Sequence, residues 1–225
     1  MKISEGTLSV LKNFSLINPS ILFKPGNEIS TISSSKTILS TATVDETFPV
    51  KGAIYNLNRF LGVLSLFEDP ELTFDEHRVT ISEGAKNIRY TFTDEKMVVV
   101  PPDRTIEFPD ADASVEVPWK ELNDVMRACA VMDLPEVALV GEDGKISICA
   151  MDTKNPTADN YSSDVGETSN TFKFIFKVEN LKLMNYNYLI EVTAKGIAKF
   201  TSINQYGPKV VYFIATEAKS EFNGA

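Results

Sequence analysis

The order of predicted helices and strands repeats once along the 225-residue chain, and this duplication constrains the fold more than any single motif does. Each half predicts a helix, a group of strands, a second helix and a further group of strands. An offset of 114 residues superposes apolar positions of the first helix of each half: Leu8, Leu11 and Ile17 on Leu122, Val125 and Val131. The pattern predicts an α+β chain of two similar domains, residues 1–100 and 114–225.

Four stretches have helical character. Ser4 and Asn56 are suitable N-caps for the first two, and Pro118 suits the first turn of the third. Apolar residues recur at the spacing of a buried helix face in residues 1–17, 56–67, 118–132 and 177–185. The fourth stretch predicts only a short helix, around residues 178–184.

The remaining apolar runs are short and bounded by turn residues, which is typical of strands. We predict strands at residues 21–24, 28–33, 37–44, 48–54, 71–74, 78–81, 87–93, 137–140, 145–151, 171–176, 188–194, 198–202 and 209–216. Asp143-Gly144 predicts a hairpin turn. The proline-rich and charged residues 101–113 predict an extended interdomain connector, and residues 152–170 predict a polar, acidic loop.

Residues suited to catalysis or metal binding are sparse. Cys129 and Cys149 lack Cys-x-x-Cys spacing, so we expect reduced thiols and a reducing compartment. The single histidine, His77, lies in a charged stretch that predicts an exposed hairpin tip. Residues 141–145 lack the spacing of a phosphate-binding loop, and residues 152–167 lack the ladder of a calcium loop. We therefore expect no enzymatic activity, no metal and no cofactor.

No membrane segment is predicted either. The amino-terminal residues lack an apolar secretory stretch, and no run approaches the roughly 18 apolar residues that a membrane span needs. We expect a soluble protein that is not exported.

The charges are unevenly distributed. The whole chain has a net charge of −9, which disfavours a basic surface overall. The four predicted helices carry seven basic and four acidic residues, a surplus of three: the basic ones are Lys2, Lys12, Arg59, Lys120, Arg127, Lys177 and Lys182. Lys12 and Arg127 lie opposite the apolar faces of their helices. Each could belong to an ordinary solvated helix face, but together they indicate a cationic helical surface.

Several stretches that span most of the chain carry a further signal: Leu11–Phe14, Ala53–Leu66, Ile106–Pro109, Asn170–Ile175, Ala194–Gly196 and Ala198–Phe200. They resemble the ring-shaped sliding clamps, which are DNA polymerase processivity factors, and within them the clamps of myovirus-type tailed bacteriophages. The resemblance implies the DNA-clamp fold and a homotrimeric ring of six similar units. Antiparallel sheets would form the outside of this closed ring, and helices carrying the seven basic residues would face duplex DNA in its central channel.

The resemblance also implies partners. These are the replicative DNA polymerase, an ATP-dependent clamp loader, and late-transcription factors of the sigma and co-activator type, all in the cytoplasm of an infected bacterial host. Partner peptides are expected to dock beside the connector and the last predicted strand, at Ile106, Phe108, Phe213 and Ala215. The alternative function is a β-rich, trimeric phage structural protein, either a decoration or a tail component. That alternative would not need positive charge confined to helices.

Overall fold

The computed structural model describes residues 1–103 and 106–224, which group into two compact units. The first unit comprises Met1–Arg104 with Gln205–Val210, and the second comprises Thr105–Asn204 with Val211–Ala225. The connector at residues 101–113 stays a prediction, and two of its residues, Arg104 and Thr105, lie outside the described residues.

Unit 1 combines two α-helices with short antiparallel strands in its described residues. Its elements are α1 (Glu5–Ile17), β1 (Ile21–Phe23), β2 (Gly26–Ile32), β3 (Ile38–Phe48), β4 (Gly52–Ile54), α2 (Leu57–Leu64), β5 (Glu71–Phe74), β6 (Arg78–Glu83) and β7 (Lys86–Thr91). β1 pairs with β4, β2 pairs with β3, and β5, β6 and β7 form a meander. As predicted, His77 lies exposed in the β5–β6 turn.

The helix caps of unit 1 lie where the sequence predicts them. The Ser4 hydroxyl accepts a hydrogen bond from the Thr7 N–H at 3.2 Å, and the Asn56 side chain accepts one from the Arg59 N–H at 2.8 Å. The predicted apolar face of α1 is buried: Thr7, Val10, Leu11, Phe14 and Ile17. α2 ends three residues before its predicted end.

Aromatic rings fill the centre of unit 1. Phe23 stacks on Phe48 with ring centroids 4.5 Å apart, and Phe60 meets Phe23 edge-on at 6.4 Å. A Cβ atom at Gly52 would lie 2.5 Å from the Phe92 ring, so only glycine fits where that ring crosses β4. The contact between Phe60 and Phe23 holds α2 against β1.

Unit 2 has one α-helix and two antiparallel sheets in the part of the chain that the structure describes. Its elements are β8 (Ala113–Val117), α3 (Trp119–Met132), β9 (Glu136–Glu142), β10 (Lys145–Met151), β11 (Tyr161–Glu167), β12 (Thr171–Lys177), β13 (Asn187–Thr193), β14 (Ile197–Ile203), β15 (Lys209–Ala215) and β16 (Glu221–Gly224). One sheet has the order β11-β10-β9-β12-β16, and the other contains β15-β14-β13-β8. Asp143 and Gly144 have φ values of 52° and 81°, which confirms the predicted hairpin turn between β9 and β10.

Three strands were not predicted. β8 lies at the border of the predicted connector, β11 lies inside the predicted acidic loop, and β16 lies near the carboxyl end. β11 pairs with β10 on one side only and forms an edge of its sheet, so its polar residues need no apolar alternation. The prediction of a continuous loop over residues 152–170 is therefore wrong.

The predicted fourth helix is also wrong. Only a 3₁₀ turn, Val178–Asn180, forms there, and residues 181–186 have no regular structure. The Met184 N–H donates to the Tyr212 hydroxyl at 3.3 Å, and the Tyr188 hydroxyl donates to the Met184 carbonyl at 2.9 Å. These backbone groups would be used inside a helix, so the two tyrosines hold the segment in a non-helical form.

The alignment of the two halves needs a one-residue correction. Val131, which the offset of 114 places on buried Ile17, is 86% exposed. An offset of 115 superposes buried residues on buried residues: Thr7, Val10 and Phe14 on Leu122, Val125 and Cys129. One residue rotates a helix face by about 100°, so this small shift decides which side chains point outward.

Candidate nucleic-acid interface and partner site

Four of the seven predicted DNA-facing residues lie on α-helices and are exposed. Lys12 lies on α1, Arg59 on α2, and Lys120 and Arg127 on α3. The same helices carry three acidic residues, Glu5, Glu121 and Asp124. Their surplus is one positive charge, not the three that the sequence predicted, because the amino-terminal residues and the fourth stretch are not helical.

The other three predicted residues lie off the α-helices. Lys2 precedes α1, Lys177 ends β12, and Lys182 lies in the irregular segment that follows the 3₁₀ turn. Placing them on helices was wrong. Their role at DNA stays a prediction that helix position no longer supports.

Ion pairs divide the basic residues into those with an acidic partner and those without one. Lys120 Nζ lies 2.9 Å from Asp124 and 3.4 Å from Glu121, and the hydrogen bond with Asp124 raises the pKa of Lys120. Lys2 pairs with Asp69, and Lys177 lies 4.0 Å from Glu217. These partners neutralise much of the charge that an external anion would meet.

Lys12, Arg59 and Arg127 differ from the paired residues. Their side chains form no ion pair with any residue in the ranges 1–103 and 106–224. Each lies on an exposed helix face whose opposite side is packed in the core. Of the seven candidate residues, these three are exposed α-helical cations that lack an ion pair in the part of the chain that the structure describes.

Neither a metal-binding cluster nor a helix of membrane-spanning character is present in the described residues. No group of three histidine, cysteine or carboxylate side chains is close enough to hold a metal ion there. None of the helices within that part of the chain combines the length and apolar character that crossing a bilayer requires.

Phe213 and Ala215, two of the predicted partner-peptide residues, lie on one face of the unit 2 sheet. Residues of β13, β14 and β15 alternate between the core and the opposite face, with Tyr188, Phe200 and Tyr212 buried. On the opposite face Lys199 pairs with Phe213 across β14 and β15, and Ala215 pairs with Ile197. Phe213 and Ala215 are half-buried, so each leaves part of its side chain accessible.

Phe108 lies over this face. Its ring centroid is 6.3 Å from that of Phe213, and the Lys199 ammonium lies 5.5 Å from the Phe108 centroid. Lys199 also donates to Glu191 at 2.8 Å, which orients the ammonium. Ile106 is half-buried two residues before Phe108. The structure thus brings Phe108 and Phe213 together around a cation–π contact.

Lys199 and Glu191 were missed by sequence reasoning. Their opposite charges on neighbouring strands were visible, but their pairing depends on the register of β13 and β14, which aligns the two residues directly. Without knowledge of that register, the sequence does not indicate that Lys199 lies beside Phe108 of the connector.

The arrangement of helices and antiparallel sheets is shared with solved structures. The protein superposes on the structure of A. fulgidus PCNA with the C-terminal region of FEN-1 bound, with a TM-score of 0.75, covering 98% of this chain and 100% of that one. Sequence identity is only 14%, so this similarity concerns the fold. It defines the molecule as a protein of the DNA-clamp fold.

Family and sequence comparisons identify the group within that fold. Residues 3–100 match the family described as DNA polymerase processivity factor, and residues 114–218 match the family described as gp45 sliding clamp, C terminal. The sliding clamp of Enterobacteria phage T4 is 33% identical, covering 98% of each chain, and that of Vibrio phage KVP40 is 30% identical, covering 97% of this chain and all of the relative. The chain belongs to the sliding clamp family of DNA polymerase processivity factors. The alternative of a phage structural protein is not supported.

Proposed function

We propose that three copies of this chain close into a ring around duplex DNA and tether the phage replicative polymerase for processive synthesis. Each copy would supply two similar domains, residues 1–100 and 114–225, joined by the connector at 101–113. The observation that carries the proposal is the set of unpaired cations, Lys12, Arg59 and Arg127, on three exposed helix faces.

Such cations suit a protein that must move along DNA. Flexible lysine and arginine side chains contact phosphates without reading base sequence, and each contact is weak and salt-sensitive. The net charge of −9 discourages DNA from binding elsewhere on the surface. In a closed ring, retention comes from encirclement, so the contacts can stay weak enough to allow sliding.

Two features support assembly from several copies. β11 is an edge strand of its sheet, with one side available for pairing with another chain. In unit 1, extended Val98 is buried whereas its neighbours Met97 and Val99 are exposed apolar residues. We assign β11 and the exposed apolar residues Met97 and Val99 to the contact between neighbouring copies of a homotrimer.

We assign the partner-peptide site to Ile106, Phe108, Phe213 and Ala215. All four side chains are apolar and half-buried, and Phe108 packs beside Phe213, which would suit a peptide with two or three bulky apolar residues. The polymerase, an ATP-dependent loader and late-transcription sigma and co-activator factors would use this site in turn. The protein would act without enzymatic activity or cofactor, in the cytoplasm of the infected host.

The test of encirclement is retention on DNA. Protein loaded by loader and ATP onto closed circles should survive a salt wash and be released after a single restriction cut, because the cut supplies an end. Equal retention on circular and linear DNA would mean that adhesion holds the protein and would contradict the proposal.

Charge reversal tests the helical cations. Lys12→Glu with Arg127→Glu should reduce loading or processivity while the trimer mass, measured by light scattering, stays unchanged. The matched control is Lys36→Glu with Lys195→Glu, two reversals in exposed hairpin turns. If the control variant loses as much activity, the helix faces have no special role.

Paired substitution tests the partner-peptide site. Ile106→Ala with Phe108→Ala should weaken polymerase stimulation without dissolving the trimer. Unchanged peptide binding and stimulation would place the partner site elsewhere.

A further inference from the structure

The outward faces of α1 and α3 share a feature that positive charge does not explain. Four residues after the unpaired cation of each helix there is an exposed apolar side chain: Leu16 follows Lys12, and Val131 follows Arg127. Leu16 is 67% exposed and Val131 is 86% exposed. Exposed aliphatic side chains are unremarkable singly, but here they accompany the same type of charge in both units.

The two pairs are equivalent in the internal duplication. The offset of 115 that superposes the buried faces of the helices also superposes Lys12 on Arg127 and Leu16 on Val131. Residues four positions apart lie on the same side of a helix, with Cβ atoms about 6 Å apart. Each helix therefore presents a cation and an aliphatic group side by side.

We propose that Leu16 and Val131 contact the deoxyribose rings of the encircled duplex, next to the phosphates that Lys12 and Arg127 contact. This inference rests on the proposed function. Along a nucleic acid strand, charged phosphates alternate with sugars whose C–H groups are apolar, so the backbone offers both chemistries at neighbouring positions. Duplex DNA carries one negative charge per phosphate along both strands, so its backbone offers the two unpaired cations a dense and regular row of anionic partners.

An aliphatic contact with sugar has a distinct physical role. A lysine or arginine at a phosphate releases counterions, so its contribution falls steeply as salt rises. Burial of aliphatic surface releases no counterions and adds attraction that depends little on salt. Leu16 and Val131 would hold the DNA near the helix faces at salt concentrations that screen the cations, without adding a base contact that would stop sliding.

The test compares two double variants over a series of salt concentrations. Binding of the full-length protein to a short fluorescent DNA duplex is measured by anisotropy. Leu16→Gln with Val131→Gln should weaken binding by about fivefold at every salt concentration and leave the salt dependence unchanged. Lys12→Gln with Arg127→Gln should weaken binding and make the salt dependence shallower. Ile203→Gln, at an apolar residue 41% exposed on β14, is the control and should match wild type.

The outcomes separate this inference from the proposed function. Wild-type affinity in the Leu16/Val131 variant overturns the inference alone. Loss of the trimer in that variant also overturns it, because the two side chains would then lie between copies of the chain. If the wild-type protein neither binds duplex at low salt nor is retained on closed circles, the proposed function fails as well.

Discussion

The first helices of the two units occupy equivalent places in the duplication but are built differently. α1 is capped by the Ser4 side chain and buries the large Phe14 ring. α3 begins after Pro118, which gives no side-chain cap, and buries the small Cys129 at the position equivalent to Phe14. The periodicity of buried side chains is therefore what the two helices share, whereas cap and core volume differ between them.

The second helical stretches differ more. In unit 1, Asn56 caps α2 and the helix forms. In unit 2, no side chain caps the corresponding segment, and Tyr188 and Tyr212 bind the backbone of Met184. Apolar periodicity is present in both segments. The comparison therefore teaches that apolar periodicity produces a helix only where the backbone groups are not hydrogen-bonded to side chains from elsewhere in the fold.

The largest expected effect is a difference in the free energy of unfolding between variants at the two equivalent core positions. Phe14→Ala should lower the free energy of unfolding by about 4 kcal/mol, because it removes a fully buried ring, whereas Cys129→Ala should cost about 1 kcal/mol. Urea denaturation followed by circular dichroism measures both. Equal losses would mean that the two helices depend on their cores to the same degree.

A smaller effect should reveal what holds residues 181–186. Tyr188→Phe removes the hydroxyl that donates to the Met184 carbonyl and should cost about 1–2 kcal/mol. Amide hydrogen exchange in residues 181–186 should accelerate more than exchange in α3. Uniform acceleration across unit 2 would indicate a general loss of packing instead of release of this segment.

The smallest effect depends on pH and is confined to unit 1. Glu46 accepts hydrogen bonds from the Ser4 N–H and the Thr7 hydroxyl, whereas at the start of α3 the neutral Asn187 side chain accepts from the Trp119 N–H at 2.8 Å. Burial opposes the Glu46 charge, but the hydrogen bonds outweigh it and lower its pKa below the ordinary value of 4.5. This stabilisation is therefore complete above pH 4.5 and is lost as pH falls through the lowered pKa.

Glu46→Gln should cost about 1 kcal/mol at neutral pH and less in acid, where wild-type Glu46 is itself protonated. Hydrogen exchange of the α1 amides measured at both pH values checks this. Asn187→Ala is the matched variant in unit 2, and its effect on α3 should not depend on pH. A pH-independent cost of Glu46→Gln would show that the carboxylate charge is unimportant.

Local signals predicted most of the fold. Caps and spacing located α1, α2 and α3, and the strands β5 and β10 have their predicted bounds. β8 was missed although Ala113–Val117 alternates, because the neighbouring prolines and charges suggested a connector. β11 could not be predicted because its polar residues show no strand pattern. Its strand form depends on pairing with β10, which is a tertiary contact.

The candidate site was predictable only in outline. The sequence identified the basic residues, and the Lys120–Asp124 pair at i, i+4 was visible in it. The pairs of Lys2 with Asp69 and Lys177 with Glu217 join residues far apart in sequence, so no local pattern shows that these charges are neutralised. The cation–π contact of Lys199 with Phe108 likewise requires the tertiary structure.

The alkylation rates of the two thiols of unit 2 can report local opening of the structure. Cys129 is a buried residue of α3, its thiol donates to the Glu136 carbonyl at 3.6 Å, and burial raises its pKa to about 11. Cys149 is only half-buried, beside the Ser162 hydroxyl. An alkylating reagent at neutral pH should therefore modify Cys149 first. Modification of Cys129 should require α3 to move away from its sheet, because the thiol is buried until then. The ratio of the two rates reports how often that helix detaches, and mass spectrometry can read it without any engineered label.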